Sequence, residues 1–431
     1  MDQSPGSEMY NQIVELFPIN RSLTGEGVRN TLEYFKNILP ELAIYEVPTG
    51  TKAFDWTIPN EWKVTDAYIA DLKGNRLISF KNNNLHLVGY SIPIDTIMNK
   101  SDLEEHLYSL PNQKNAIPYV TSYYSENWGF CLSQIQRDQL GQGPFHVVIQ
   151  SQLFPGSMSY GELIIHGESK QEVLLTTYVC HPSMASNELS GPVILAALAR
   201  WLKNQGTLRY TYRILFLVET IGSIYYLSKH IKYLKENVIA GWVLTCLGDD
   251  RAYSYLPSRF GNTLADRVSK KVLEGIDANY IKYTWLDRGS DERQFCAPGV
   301  DLPVGSIMRS KYDEYPEYHT SLDNLDFVSP AGLQGGFLAL QKAIRTIESR
   351  KCYKINVDCE PQLGKRGLYP SLSTKESVST VYNLMNVISY LDGRFDIEEI
   401  AEMCQISINE TEEIIARLIE AKLIENSNSN F

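Results

Sequence analysis

Glu172-Val-Leu-Leu-Thr-Thr-Tyr-Val-Cys-His-Pro-Ser183 is the stretch that decides how the chain is read. Its first part is apolar and rich in β-branched residues, the composition of a strand buried on both faces. Pro182 cannot donate to a sheet ladder, so the strand stops there and leaves His181 at its carboxyl tip. Asn187-Glu-Leu-Ser-Gly-Pro192 follows, then Val193-Ile-Leu-Ala-Ala-Leu-Ala-Arg-Trp-Leu202, a helical composition with Pro in its first turn. A second buried run, Tyr212-Arg-Ile-Leu-Phe-Leu-Val218, ends on Glu219-Thr-Ile-Gly-Ser223. Two neighbouring parallel strands therefore each end in a titratable side chain, at the edge where open α/β sheets bind ligands. An isolated His at a strand end is ordinarily a hydrogen-bonded rim residue. Here the Ser-Gly helix start and the Glu one β-α unit later coincide with it and point to a site.

Further along stands Tyr318-His-Thr-Ser-Leu-Asp323. The order strand-His, Asn-x-x-Ser-Gly, strand-Glu-x-x-Gly and Tyr-His-Thr resembles the zinc aminopeptidase (zinc exopeptidase) superfamily. More closely, the chain resembles the aminopeptidase-like proteins with a winged-helix tail found near bacterial polysaccharide-biosynthesis genes. Phe54-Asp-Trp-Thr-Ile-Pro-Asn-Glu-Trp62, Cys180-His-Pro-Ser183, Glu219-Thr-Ile-Gly-Ser223, Gly289-Ser-Asp-Glu-Arg-Gln294 and Glu317-Tyr-His-Thr-Ser321 carry that match. It covers nearly the whole chain.

The resemblance implies an α/β fold: a mostly parallel sheet flanked by helices, an inserted small β domain and a C-terminal winged-helix domain. It implies His181 and His319 as metal ligands. Glu219 matches the general base, which takes a proton from metal-bound water and passes it to a leaving amine. Three positions depart from the superfamily pattern. Thr220 stands where a ligand glutamate normally follows the base, Asn187 where an aspartate bridges two ions, and Thr245 or Cys246 where a further ligand aspartate lies. A neutral amide is a poor ligand for a dication. One zinc ion is therefore expected, on His181 and His319 with Asn187, Glu188 or water completing the set. Ser290-Asp291-Glu292 matches a segment near the superfamily's cleft and, with Arg288 and Arg293 nearby, is expected to bind a substrate terminus or sugar acid, with a structural ion-pair cluster as the alternative reading. Tyr312 and Tyr315 are expected to line the pocket, and Asp323 to orient His319.

The rest of the chain arranges itself around this core. Residues 1–44 and 144–353 read as the aminopeptidase-like domain, opening with two helices between Tyr10 and Leu39 joined by Asn20-Arg-Ser-Leu-Thr-Gly-Glu-Gly27. Residues 45–143 change texture to short β-type runs broken by Asn, Gly and Pro, an inserted β domain or lid. Phe145 to Leu153 and Gly161 to His166 read as an edge hairpin of the main sheet. Later strands and helices alternate, as in a sheet covered on both faces. Residues 354–373 read as linker and 374–431 as the winged helix.

The chain has 431 residues, room for two or three domains. A net charge of −11 argues against general affinity for nucleic acid or anionic membrane. The tail in particular carries ten Asp/Glu against three Lys/Arg between Val378 and Asn426, so it lacks the basic face of a DNA reader. Homo-oligomerisation through the winged helix is the expectation instead. Seven scattered cysteines without CxxC spacing suit reduced thiols and a cytoplasmic setting. The N-terminus reads as free of a signal peptide, and no apolar run approaches the length of a membrane span. The function expected is zinc-dependent hydrolysis of an amide bond in a peptide-like or amino-sugar substrate, with a catalytically impaired protein that binds a sugar or peptide as the alternative.

Overall fold

A computed structural model describes residues 4–368 and 375–426. The chain divides into two compact units, 1–344 and 345–431. The first is built on an eight-stranded mixed sheet. Its centre is four parallel strands, in spatial order Thr211–Leu217, Glu172–Tyr178, Val238–Val243 and Val304–Met308. Every residue of Glu172–Tyr178 and Thr211–Leu217 is buried, which is why both read as unbroken apolar runs rather than alternating ones. They pair in continuous register from Glu172 opposite Thr211 to Tyr178 opposite Leu217, so His181 and Glu219 emerge side by side.

Antiparallel strands finish the sheet at both ends. Ser157–Ile165 and then Ala43–Pro48 extend it beyond Thr211–Leu217, and Ser254–Leu256 with Ile281–Lys282 extend it beyond Val304–Met308. The two charges inside the central strands Glu172–Tyr178 and Thr211–Leu217, Glu172 and Arg213, sit toward the amino end, away from His181. Arg213 Nε donates to Glu172 Oε2 at 2.6 Å, and the same guanidinium reaches Glu162 and Tyr226.

The helix Ser190–Lys203 starts against the sheet. A Cβ on Gly191 would lie 2.1 Å from Leu244 O and 2.5 Å from Thr177 Oγ1, so the Ser-Gly pair is a close-approach requirement of this packing. The other helices, Pro5–Leu16, Glu26–Ile38, Ile221–Asn237, Leu264–Glu274 and Pro330–Ser349, fall where their apolar spacing places them.

A second, antiparallel sheet has the order Arg76–Ser79, Glu61–Asp71, Phe145–Phe154, Ile94–Met98. Phe145–Phe154, expected at the edge of the main sheet, instead pairs with Glu61–Asp71 along its whole length and with Ile94–Met98 on its other side. Only Ser157–Ile165 of the expected hairpin joins the main sheet. Trp62 and Trp128 are core residues here, and Trp62 donates Nε1–H to Ser91 O at 3.0 Å.

The second unit is a winged helix, with helices Lys375–Ser389, Ile397–Cys404 and Ile408–Glu420 and a three-stranded sheet. Leu384, Val387, Ile400, Ile414 and Leu418 form its core. The stretch read as linker from Lys354 opens in the middle strand of that sheet, Cys352–Ile355, which pairs with Asp392–Asp396 and Ile424–Asn426. Residues 369–374, the end of the expected linker, lie outside the described residues.

Candidate active site

His181 and Glu219 face each other at the carboxyl edge, with His181 Nε2 3.5 Å from Glu219 Oε2. Each is held by its own strand. On the first, His181 Nδ1 lies 2.9 Å from Glu188 Oε2, which assigns the Nδ1 proton to that contact and turns Nε2 toward Glu219; against the pull of burial, Cys180 and Glu188 hold the imidazole's pKa well above its ordinary value. Behind Glu188 is Arg21, wholly buried and 3.3 Å from Glu188 Oε1. The guanidinium also donates to His181 O at 2.9 Å, Leu16 O at 2.9 Å and Pro182 O at 3.4 Å, clamping the backbone that carries the imidazole.

On the second strand, Glu219 precedes an uncommon turn. Thr220 has φ +65° and ψ −76°, and Ile221 N–H donates to Glu219 O at 2.8 Å, closing a γ-turn. A β-branched residue in this region costs about 1–3 kcal/mol and persists only where its surroundings over-determine it. They do: Thr220 N–H donates to Asp291 Oδ1 at 2.8 Å and Thr220 Oγ1 accepts from Arg293 Nη2 at 2.8 Å. Ser290 Oγ then donates to Glu219 Oε1 at 2.9 Å, aiming the other carboxylate oxygen at His181. Burial pushes the Glu219 carboxyl above the ordinary carboxylate range, against the pull of His181 and Ser290.

His319 completes the constellation from a distant segment, its ring centroid 5.5 Å from that of His181. It has φ +51° and stacks on Tyr318 at 3.9 Å. Burial, with the His181 charge, pushes its pKa down to about 3, so the imidazole is neutral. Its Nε2 is buried without a hydrogen-bond partner among the described residues, as is Asn187 Oδ1. Asn187 sits in a π-turn, Ala185–Leu189, leading into the Ser190–Lys203 helix. Asp323 was expected to orient His319. Instead it accepts from the backbone N–H of Ala185, Ser186 and Asn187 at 3.1, 2.6 and 2.9 Å and from Tyr315 Oη at 2.9 Å. A carboxylate at the start of a helix satisfies amides that have no partner within it.

One site residue was missed altogether. The inserted segment pairs with the 319–321 segment: Tyr119 N–H donates to His319 O at 2.8 Å, and Ser321 N–H to Ile117 O at 2.9 Å. Tyr119 thereby packs edge-on to His181 and His319, at 5.5 and 5.1 Å between centroids, and its hydroxyl meets Tyr123 at 2.7 Å. The aromatic run from Tyr119 to Tyr124 was the only sequence signal for it.

The comparisons bear on this geometry. Residues 10–350 match the family described as a domain of unknown function, DUF4910, and residues 350–426 match a winged helix-turn-helix family. A Clostridium acetobutylicum protein named for polysaccharide biosynthesis and an aminopeptidase-like domain is 44% identical over 398 residues, 92% of this chain and 91% of that one. The chain belongs to this aminopeptidase-like family. A crystal structure of a C. acetobutylicum protein described as a peptidase superposes with a TM-score of 0.82 at 42% identity, covering 98% of this chain and 96% of that one. The zinc aminopeptidase of Bacillus subtilis superposes at a TM-score of 0.55 and 12% identity over 79% of this chain and 94% of that one, a likeness of fold.

The expected side chains divide into four groups. His181, Glu219, His319 and Asn187 gather at one edge. The side chains of Thr220 and Thr245 are engaged with neutral or cationic neighbours: Thr220 Oγ1 accepts from Arg293, and Thr245 Oγ1 meets Tyr178 Oη at 2.6 Å and donates to Asn187 O at 2.9 Å, with Cys246 buried beside it. Asp291, Glu292 and Tyr315, expected to touch substrate, are buried and serve the scaffold. Glu292 Oε1 accepts from Gly289 N–H, Ser290 N–H and Tyr312 Oη at 2.9, 3.0 and 2.6 Å. Burial pushes Asp291 up to about 7. Arg288 and Arg293 are exposed. Asp249 closes a turn by accepting from Ser310 Oγ and Arg251 N–H.

Zinc fits the residues on the Nε2 side of His181. A neutral imidazole and an amide oxygen, both buried without a partner, accompany a carboxylate and a second imidazole whose Nδ1 is held by Glu188, which is the donor chemistry zinc takes. Among the described residues, the His/Cys/Asp/Glu group whose donor atoms all lie within 4.8 Å of one another is Cys180, His181 and Glu188. There, however, the Arg21 guanidinium already neutralises Glu188, and burial pushes the Cys180 thiol up to about 11, so it stays protonated.

Proposed function

We propose that the chain is a zinc-dependent amide hydrolase of the aminopeptidase type, acting on a peptide-like or amino-sugar substrate in polysaccharide biosynthesis. The observation that carries this reading is the pair of buried, unpartnered acceptors, His319 Nε2 and Asn187 Oδ1, beside His181 and Glu219. His181, His319 and Asn187 would hold one ion, which when bound supplies a water acidic enough to act as nucleophile near neutral pH.

The chain's own side chains do the rest. Glu219, with its affinity for a proton raised by burial, carries the proton at Oε2 and releases it to the leaving amine. Ser290 and the Thr220 turn keep that oxygen in place. Tyr119 covers the two imidazoles and keeps bulk water away from them. The relative's name supports the link to polysaccharide synthesis.

A second reading, a sugar- or peptide-binding protein without turnover, is favoured by the uncharged Thr220, Thr245 and Cys246 in place of carboxylates. Elemental analysis of the purified chain, with an assay on aminoacyl and N-acylamino-sugar amides, separates the two. The hydrolase reading expects zinc and turnover in wild type, and neither in His181→Ala or His319→Ala. Zinc-loaded protein inert on every amide would favour the binding reading.

We also place the protein in the cytoplasm, the setting that scattered cysteines without CxxC spacing suit; Cys131, Cys180, Cys246 and Cys296 are buried. No helix among the described residues is long and apolar enough to cross a membrane. Self-association through the winged helix is supported by its exposed Tyr382, Ile408 and Ile419.

A further inference from the structure

Beside the Thr220 turn lies an open cleft of about 660 Å³, a volume typical of a small-molecule site. Arg259, Arg288 and Arg293 line it with Phe260, Trp285 and Gln294, and no carboxylate is among the lining residues. That is unusual for a chain with a net charge of −11. Arg259 pairs with Asp301 at 2.7 Å. Among the described residues, Arg288 and Arg293 hydrogen-bond only to uncharged oxygens, Arg288 to Trp285 O at 3.1 Å and Arg293 to Thr220 Oγ1 at 2.8 Å. Neither guanidinium has an ion-pair partner among the described residues, and the Arg293 charge reaches as far as Glu219.

The aromatic lining is equally unspent. Phe260 is 72% exposed, and the neighbouring Leu286 82%, where burial would ordinarily remove such side chains from water. Arg288 lies over the Trp285 ring at 4.9 Å and Arg259 over the Phe260 ring at 4.6 Å, so guanidinium planes and aromatic faces are already arranged together. Guanidinium groups favour planar, paired contacts to phosphate and carboxylate, and flat rings stack on exposed aromatics.

We infer that this cleft binds the oxyanion of a ligand, a phosphate or carboxylate on a sugar- or nucleotide-like body that stacks on Trp285 and Phe260. Arg293 joins the cleft to the reaction centre, because it contacts the residue that follows Glu219. The placement of the scissile amide beyond that arginine rests on the hydrolase reading above; anion binding does not.

The test is calorimetric titration of the full chain with UDP, with glucuronate and with neutral N-acetylglucosamine as control, for wild type and an Arg288→Gln/Arg293→Gln double variant. Binding by UDP or glucuronate is expected, weakening with added salt and falling about tenfold or more in the double variant. Arg251→Gln, a guanidinium outside the cleft, should bind as wild type. Which of the two anions binds identifies the source of the oxyanion. Absence of binding by both, or equal binding in the double variant with its melting temperature unchanged, overturns the inference. Should the double variant fail to fold, competition of UDP or glucuronate binding to wild type by inorganic pyrophosphate supplies the reading, and no competition overturns it. Glu219→Gln separates the two proposals, because it should keep anion binding whether or not the chain hydrolyses amides.

Discussion

The guanidinium of Arg21 lies 3.3 Å from the carboxylate of Glu188, with neither side chain exposed to solvent. Two such charges are costly to bury, and removing one leaves the other uncompensated. Arg21→Met should therefore destabilise the chain by about 3–5 kcal/mol in denaturant titration. It should also lower metal content, because the His181 and Pro182 carbonyls each lose a donor. A loss near zero would mean that the pair does not support the His181 side of the site.

Asn187→Asp should raise metal occupancy. The substitution places a charged ligand where an unpartnered amide oxygen now stands, at the loss of the Asn187 Nδ2–H bond to Tyr178 Oη at 3.0 Å. Elemental analysis of matched preparations is the measurement. Equal occupancy in both proteins would count against Asn187 as a ligand position.

Ending the chain after Arg350 should leave the first unit folded and its metal content intact, while changing self-association. Cutting near Gly364 instead would strand Cys352–Ile355, the middle strand of the winged-helix sheet. Sedimentation of full-length and truncated protein checks the oligomer. Specific duplex DNA binding by the tail, falling steeply with salt, would contradict the acidic-tail argument.

His181 and Glu219 were legible because buried parallel strands write themselves as unbroken apolar runs, and each ended on a polar residue. Phe145–Phe154 was not legible as part of the second sheet. A strand's composition does not name its partner, and Glu61–Asp71 lies far upstream. Asp323, expected to orient His319, has other partners. A carboxylate near a histidine suits ring orientation, whereas here the free amides of the 185–187 turn compete for it and win. Tyr119 reaches the imidazoles only through backbone pairing with 319–321, a contact with no local sequence pattern. Asp291 and Glu292, expected to touch substrate, became scaffold because the Thr220 and Gly289 turns need acceptors for their N–H groups.

The central claim is that Glu219 is the proton carrier of a hydrolase, and Glu219→Gln tests it most directly. The isostere preserves volume and the Ser290 contact, so zinc content and melting temperature should match wild type. Amide hydrolysis should fall by about 10²–10⁴-fold, the usual contribution of a positioned base. Hydrolysis unchanged in the zinc-loaded variant, or zinc lost as in His181→Ala, would contradict that role.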